Sequence, residues 1–270
     1  MCGQVTHESR RGPRQCQEDR FVVSRIVNRD CVGWLLGVFD GHEGSAVSEF
    51  CADKATDFFN LTSAYNLEDA LKNLMRELVS NTERFEDGST ASIAFVAESH
   101  RRVSIAILGD SPVLVSDRNG QLHVSPEHNV RSNIRERMAA EARGGEYDEG
   151  YVYRKGGGCG IQLSRVLGDS NLGEILSREP EVYTIDSPQW VLVASDGVLD
   201  PAHEVNGNLI DEVKILAQNR SDAGAIIKWA GGRGLADNAT ALVWVLNRGM
   251  SGFFYNLISD IESGLTKVLH

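Results

Sequence analysis

Three apolar runs that are typical of buried β-strands each end in an aspartate followed by glycine or serine. Further acidic residues stand directly before the last and the first of the apolar runs. The acidic residues at these run ends are Asp40, Asp110, Asp196, Asp237, Glu18 and Asp19. Carboxylates at strand ends can converge on one sheet edge, where neighbours within about 5 Å repel one another by a few kcal/mol. The pattern therefore predicts acidic strand ends around a positive charge, although a single such aspartate more often only caps a turn.

The chemistry of this acidic set indicates which ion it would hold. No clustered cysteine or histidine accompanies the aspartates. All-oxygen ligands favour a hard ion, Mg²⁺ or Mn²⁺, over zinc or copper. The net charge of -11 suits a protein that collects cations. It argues against a general binder of nucleic acid or of anionic membranes, because like charges repel.

The periodicity of the apolar residues predicts an α+β fold. It indicates strands at 19–27 and 33–39 and helices at about 44–59 and 67–85, with Asn66 as the N-cap of the second helix. Short strands over 89–124 are expected to form an antiparallel meander, followed by a helix over 130–143 and a glycine-rich loop up to Gly160. Strands at 160–166, 181–186, 190–196 and 240–246, with helices around 207–218 and 222–230, complete a layered arrangement and not a βαβ alternation.

The cellular setting is predicted from what the sequence lacks. It has no apolar run of about 20 residues and no apolar signal-peptide core at its start. Its five cysteines are scattered, without a CxxC pair. We therefore expect a cytoplasmic protein in a reducing compartment, without a membrane span.

Seven short motifs, read in chain order, resemble those of a known family. They are "RQCQED" (14–19), "FDGHEG" (39–44), "GSTASIAFV" (88–96), "LGDSPVLV" (108–115), "LSRVLGD" (163–169), "ASDGVLD" (194–200) and "ADNATALVWV" (236–245). Each motif alone is weak, but the set is similar to the successive motifs of the metal-dependent protein serine/threonine phosphatases of type 2C. The resemblance covers residues 9 to 246. It implies a four-layer α-β-β-α sandwich, two packed and mostly antiparallel sheets flanked by helices, with a two-metal centre at one end.

The resemblance also implies residue roles. Asp40 matches the aspartate that bridges two Mn²⁺ or Mg²⁺ ions, and Gly41 matches the glycine whose carbonyl oxygen binds one of them. Asp196 and Asp237 match the other direct ligands. Several residues match positions that support the centre or complete a weaker third metal site. They are Glu18, Asp19 and Thr90, which hold metal-bound waters, Asp110 and Asp200 at the third site, and Asn238 beside Asp237.

The implied reaction is hydrolysis of phosphoserine or phosphothreonine by a hydroxide that bridges the two metals. Arg14 matches the arginine that grips the phosphate, and His42 matches the proposed general acid. A phosphorylated protein is the implied substrate. Cys16 lies in the first motif, but a lone thiol without an obvious base is a poor candidate nucleophile.

This chain departs from the family pattern at Glu43, which stands where a second glycine usually follows the histidine and adds negative charge. Residues 130–160 occupy the position of the family's flap. The basic residues of this flap would either face a phosphorylated substrate or form a solvated surface; they are Arg135, Arg137, Arg143, Arg154 and Lys155.

We expect a catalytic domain over residues 1–248 and an amphipathic helix over 249–270. The apolar stripe of that helix, within 252–269, would pack on the domain or dock a partner. Two alternative functions stay open: an inactive binding or regulatory module with the phosphatase fold, and a hydrolase of a small phosphorylated metabolite.

Overall fold

The computed structural model describes residues 2–27, 31–60, 66–199 and 209–247. The strands are β1 (Gly3–Arg10), β2 (Arg20–Val27), β3 (Val32–Phe39), β4 (Gly41–His42), β5 (Gly88–Ser89), β6 (Ala91–Ala97), β7 (Arg102–Leu108), β8 (Val113–Asp117), β9 (Leu122–Val124), β10 (Gly145–Asp148), β11 (Tyr151–Arg154), β12 (Leu167–Gly168), β13 (Glu181–Asp186), β14 (Pro188–Ala194) and β15 (Ala239–Leu246). The helices are α1 (Ala46–Asn60), α2 (Leu67–Thr82), α3 (Ile134–Ala142), α4 (Asp196–Leu199), α5 (Leu209–Gln218) and α6 (Ala223–Gly232), with a 3₁₀ turn at Ser170–Leu172.

Two five-stranded antiparallel sheets form the centre of the fold. The first has the order β1-β15-β14-β8-β9, and the second has the order β13-β7-β6-β3-β2. Their facing surfaces share one apolar core, to which β3 contributes Leu36 and Val38. Leu35 and Phe39 point to the opposite face of β3 and pack among the residues of α1 and α2. Because side chains alternate along a strand, a run that is apolar at successive positions is buried on both faces.

Helices cover both outer faces, so the predicted α-β-β-α sandwich is confirmed. The helices α1 and α2 lie against the second sheet, and α5 and α6 lie against the first. The N-cap prediction for α2 is also confirmed, since the Asn66 side chain accepts a hydrogen bond from the backbone N–H of Asp69 at 2.9 Å.

Some predicted elements are wrong in detail. The strands over 89–124 are not one meander, because the chain crosses from the second sheet to the first between β7 and β8, at the turn that holds Gly109 with φ 114°. The helix predicted over 130–143 begins at Ile134, where Asn133 caps it. Residues 160–166 make only isolated bridges instead of a strand. The strand β1 and the hairpin β10–β11 were not predicted.

The flap is a small unit with its own core. The helix α3 packs against the β10–β11 hairpin, and Val130, Ala140, Val152 and Leu163 are buried among its apolar residues. The expected helix over 249–270 lies outside the described residues. Within the described ranges, no helix has the length and apolar character needed to cross a membrane.

Candidate active site

A cleft of about 390 Å³ lies at one end of the sandwich, beside the flap. The strands β3, β7 and β14 end there, and β2 and β15 begin there, because neighbouring strands run antiparallel. Motifs that are distant in the sequence therefore meet. Of the predicted site residues, the cleft is lined by Arg14, Glu18, Asp40, Gly41, His42, Thr90, Asp110, Asp196 and Asp237. Asp19 and Asn238 are buried beside it, and Asp200 lies outside the described residues.

The carboxylates of the cleft disfavour one another's charge. Burial, and then the charges of Asp19, Asp196 and Asp110, hold the pKa of Asp40 well above its ordinary value. Burial, with neighbouring carboxylates, raises the pKa of Asp196 to about 8. Burial raises the pKa of Asp110 to about 6, although a hydrogen bond from Asn129 opposes this shift. A cation among these carboxylates would offset both the cost of burying their charge and their mutual repulsion, because it favours their charged forms.

Asp19 gives independent support for a cation or its water shell at this place. Its Oδ2 accepts hydrogen bonds from Ser195 at 2.8 Å and from Thr240 at 2.7 Å. Its Oδ1 is buried and has no hydrogen-bond partner among the described residues. A buried carboxylate oxygen without a partner is costly unless a water or an ion satisfies it. The oxygen-only donor set and this unpaired atom both fit hard divalent cations.

Asn238 organises the loop that carries the first motif. Its side-chain oxygen accepts from the Glu18 backbone N–H at 2.7 Å, and its amide donates to the Arg11 and Cys16 carbonyls at 2.7 and 3.0 Å. The same loop brings the Arg14 guanidinium into contact with Asp237. This contact sets a positive charge at the mouth of the acidic cleft.

Thr90 joins two of the acidic strand ends. Its backbone N–H donates to the Asp40 carbonyl at 2.9 Å, and its hydroxyl accepts from the Asp40 N–H at 3.1 Å. The hydroxyl also lies 2.7 Å from that of Ser111, the residue after Asp110. Thr90 therefore fixes the spacing between these two loops.

His42 is paired with an aspartate to which the sequence analysis gave no role. His42 Nε2 lies 2.7 Å from Asp169 Oδ2, and the aspartate is buried. The two residues meet through a three-stranded sheet with the order β12-β5-β4. In it, Gly88 of the central strand β5 pairs with His42 of β4 on one side. On the other side Gly88 pairs with Gly168 of β12, the residue before Asp169. The sequence signal for Asp169 was its position after Gly168 at the end of an apolar run, because Asp110 follows a glycine in the same way.

The charge of Asp169 outweighs the burial of the imidazole. Burial disfavours the imidazolium, but the hydrogen bond and charge of Asp169, aided by Glu43 and Asp110, raise the pKa of His42. With Nε2 donating to Asp169, Nδ1 is the ring nitrogen that carries the transferable proton. Such a histidine is suited to act as a general acid near neutral pH.

The other residues singled out from the sequence, which are Glu43, the basic flap residues and Cys16, lie at the rim of the cleft or away from it. Glu43 lines the cleft with φ 57°, a left-handed backbone that glycine adopts at lower cost. None of the five basic flap residues named from the sequence lines the cleft. Arg143 donates to carbonyls of residues 164 and 175, and Arg154 pairs with Glu174 at 3.7 Å. Cys16 is exposed and does not line the cleft.

Comparison with known proteins gives a consistent result. The family model described as Protein phosphatase 2C matches residues 4–205. A rice protein, "Probable protein phosphatase 2C 59", is 31% identical over 247 residues, which cover 86% of this chain and 72% of the relative. Across the curated relatives, this chain spans from 50% to 88% of the relative's length.

Solved structures share the fold. A C. elegans sex-determining protein aligns with TM-score 0.75 and 26% identity, over 91% of this chain and 65% of that one. The catalytic domain of the serine threonine protein phosphatase PstP, in complex with two manganese ions, aligns with TM-score 0.61 and 19% identity, over 90% of this chain and 97% of that one.

Proposed function

Because this chain belongs to the protein phosphatase 2C family, we propose that it hydrolyses phosphoserine and phosphothreonine in proteins with the help of bound metal ions. The observation that carries the proposal is the meeting of Asp40, Asp196 and Asp237 in one cleft with Arg14 and the His42–Asp169 pair. Residues 1–248 would form the catalytic domain. The role of the segment 249–270 stays a prediction.

Two Mn²⁺ or Mg²⁺ ions fit the acidic cleft. Asp40, the Gly41 carbonyl, Asp196 and Asp237 would hold them, and Glu18, Asp19 and Thr90 would hold their waters. Asp110 and Asp200 would complete a weaker third site. When bound, the cations supply a water of lowered pKa as nucleophile and offset charge on the phosphoryl oxygens.

The protein's own groups bind the phosphate and supply a proton. The Arg14 guanidinium is half-exposed at the cleft, and its planar fork suits two phosphate oxygens. His42 Nδ1 would protonate the departing serine or threonine oxygen, a contribution typically worth about 10² to 10⁴ in rate. Asp169 keeps the imidazole oriented and charged for this step.

The experiment is release of phosphate from a phosphothreonine peptide, with Mn²⁺ and with EDTA. Asp40→Asn and Asp196→Asn should each lower turnover by about 100-fold or more, because outer partners of metal ligands alone are worth 10- to 100-fold. Asp186→Asn is the matched control, since Asp186 is exposed and pairs with Arg102 on the surface. An intact wild type that is inert with every metal and phosphopeptide would favour the inactive binding module.

The same assay separates the metabolite alternative. We expect phosphopeptides to be hydrolysed with a higher kcat/KM than sugar or nucleotide monophosphates. The reverse order would favour a metabolite phosphatase with the same metal chemistry.

A further inference from the structure

Asn129, in the segment between β9 and the flap, holds the carboxylate of Asp110. Its amide Nδ2 donates to Asp110 Oδ2 at 2.9 Å. Its side-chain oxygen accepts from the backbone N–H of Arg131 at 2.9 Å. Because the oxygen is engaged by a donor, the NH₂ group must face Asp110. The amide therefore has one orientation, and it fixes the rotation of the Asp110 carboxylate.

The neighbouring His128 holds the backbone that carries Asp110. Its ring is fully buried, and Nδ1 accepts from the Gly109 N–H at 3.0 Å. The backbone N–H of His128 donates in turn to the Gly109 carbonyl at 3.0 Å. Three hydrogen bonds from two adjacent residues thus hold Gly109 and Asp110.

This clamp, the pair His128 and Asn129, is anchored to residues that follow the flap in the chain. The Ser164 N–H donates to the His128 carbonyl at 2.9 Å, and His128 Nε2 lies 3.4 Å from Glu181. Three side chains, those of His128, Glu136 and Glu181, each place one nitrogen or oxygen atom within 4.8 Å of the other two, close enough to hold a metal ion. Arg165 already pairs with both glutamates, at 2.6 and 3.5 Å. We therefore infer that this cluster connects the clamp to helix α3, which carries Glu136, and that it is not a further metal site.

We propose that Asn129 and His128 are positioning residues for Asp110, and that Asn129 sets the affinity of the cation that Asp110 helps to hold. The inference rests on the proposed metal-dependent function and goes beyond it, because neither residue is a metal ligand or touches substrate. Partners that orient metal ligands typically contribute about 10- to 100-fold to metal affinity.

Asn129→Asp replaces the donor by an acceptor and adds a negative charge, whereas Asn129→Leu removes the donor without adding a charge. The carboxylate is isosteric with the amide and still accepts from Arg131, so the turn is kept, but the hydrogen bond to Asp110 becomes a repulsion. Asn133→Asp is a matched control four residues away. It introduces the same charge and likewise loses one amide donor, from Asn133 Nδ2 to the Glu127 carbonyl, but it keeps the cap of α3, because the Asn133 oxygen accepts from Arg135 and Glu136.

Binding of Mn²⁺ is measured on the full chain by the loss of the free-ion electron paramagnetic resonance signal, without substrate. We expect the weakest bound Mn²⁺ of Asn129→Leu to dissociate about 10- to 100-fold more readily than that of wild type or Asn133→Asp. The Mn²⁺ concentration for half-maximal activity should rise equally, while KM for the phosphopeptide at saturating Mn²⁺ stays the same. The melting temperatures of the two variants in EDTA should match.

Equal Mn²⁺ affinity in Asn129→Leu and wild type would overturn the assignment, whereas the added charge of Asn129→Asp offsets part of the expected loss. His128→Asn provides a second test if the first variant fails to fold, since its oxygen replaces Nδ1 as acceptor for Gly109. It should keep Mn²⁺ affinity within about threefold, whereas His128→Leu should lose it. A wild type without metal-dependent activity refutes the proposed function. A metal-dependent wild type with an indifferent Asn129 refutes this inference alone.

Discussion

His42 depends on a residue 127 positions away in the chain. Its imidazole is partly buried, which alone would favour the neutral form, and the carboxylate of Asp169, aided by the charges of Glu43 and Asp110, reverses that preference. The family motif identifies the histidine but does not show what keeps it protonated. At the scale of single residues, the proposed general acid is therefore the pair of His42 and Asp169.

Replacing Asp169 by asparagine should remove the negative charge beside His42 while keeping the shape of the side chain. The pKa of His42 should fall, because burial remains while the attraction of the carboxylate is lost. Since the protonated form donates the proton, activity declines as pH rises through this pKa. The decline should begin at lower pH in the variant, and kcat for a phosphothreonine peptide at pH 8 should drop about 10- to 100-fold.

The leaving group provides the control for this prediction. p-Nitrophenyl phosphate releases a weakly basic phenolate, which needs little protonation, so its turnover should change much less. Equal losses on both substrates, with an unchanged pH profile, would mean that Asp169 only supports the fold.

Glu43 combines an unfavourable backbone with an unfavourable charge. Glu43→Gln and Glu43→Gly should each lower KM for a phosphopeptide about threefold, because a carboxylate at the cleft repels phosphate. Only the glycine variant should also gain stability, by up to about 1 kcal/mol, since φ 57° costs glycine little. Kinetics with thermal melts separate the two effects. A higher KM in both variants would instead assign Glu43 a part in binding substrate.

At the scale of secondary structure, a three-stranded sheet of very short strands positions the proposed general acid. The strands β4, β5 and β12 have two residues each, yet they bring three motifs together. A side chain at Gly88 would overlap both the Asp169 carboxylate and His42 Nε2. The central strand of this sheet must therefore carry glycine at that position.

Gly88→Ala should force His42 and Asp169 apart. Its pH profile should follow that of Asp169→Asn, while Mn²⁺ binding stays near the wild-type value because no proposed ligand moves directly. Gly232→Ala is the control, since a methyl group there meets no atom within 4 Å. Wild-type kinetics in Gly88→Ala would contradict the assigned role of the pair.

Most of the elements that sequence analysis missed depend on distant partners; the β10–β11 hairpin is an exception, because its two strands are adjacent in the chain. The strand β1 is mostly polar and half-buried, so its apolar pattern is weak, and its pairing with β15 makes it a strand. The strands β4, β5 and β12 are too short for any periodicity. The acidic strand ends were predictable because each stands next to a long apolar run, whereas the role of Asp169 depends on a sheet that no local pattern reveals.

At the scale of the whole molecule, the acidic cleft affects stability. The pKa of Asp196 is about 8 in the folded protein, above the ordinary value of 3.8. A carboxyl group with a raised pKa contributes stability at low pH that is lost as pH rises through its folded pKa. Without metal, stability should therefore decline as pH rises from about 4 to about 8, and the last part of this loss, between pH 7 and 9, lies above the range in which ordinary carboxylates titrate.

Thermal melts in EDTA at pH 7 and pH 9 test this prediction. The melting temperature should fall with pH by several degrees, given about 2–4 °C per kcal/mol for a chain of this size. Mn²⁺ should restore it, and Asp196→Asn should remove most of the decrease. A melting temperature in EDTA that is constant or rises over this range would contradict the raised pKa.

The pairing of β1 with β15 also determines when during synthesis this centre can form. Ser9 and Thr240, which face each other across these strands, are 231 residues apart. A ribosome that adds about 5–20 residues per second needs roughly 10 to 50 s to bridge that interval. Until then β1 has no neighbour in its sheet, and Asp19 lacks the Thr240 hydroxyl that holds it. Under the proposed function, the nascent chain would therefore become active only after its last core strand emerges, so that a partly made copy would not dephosphorylate a substrate.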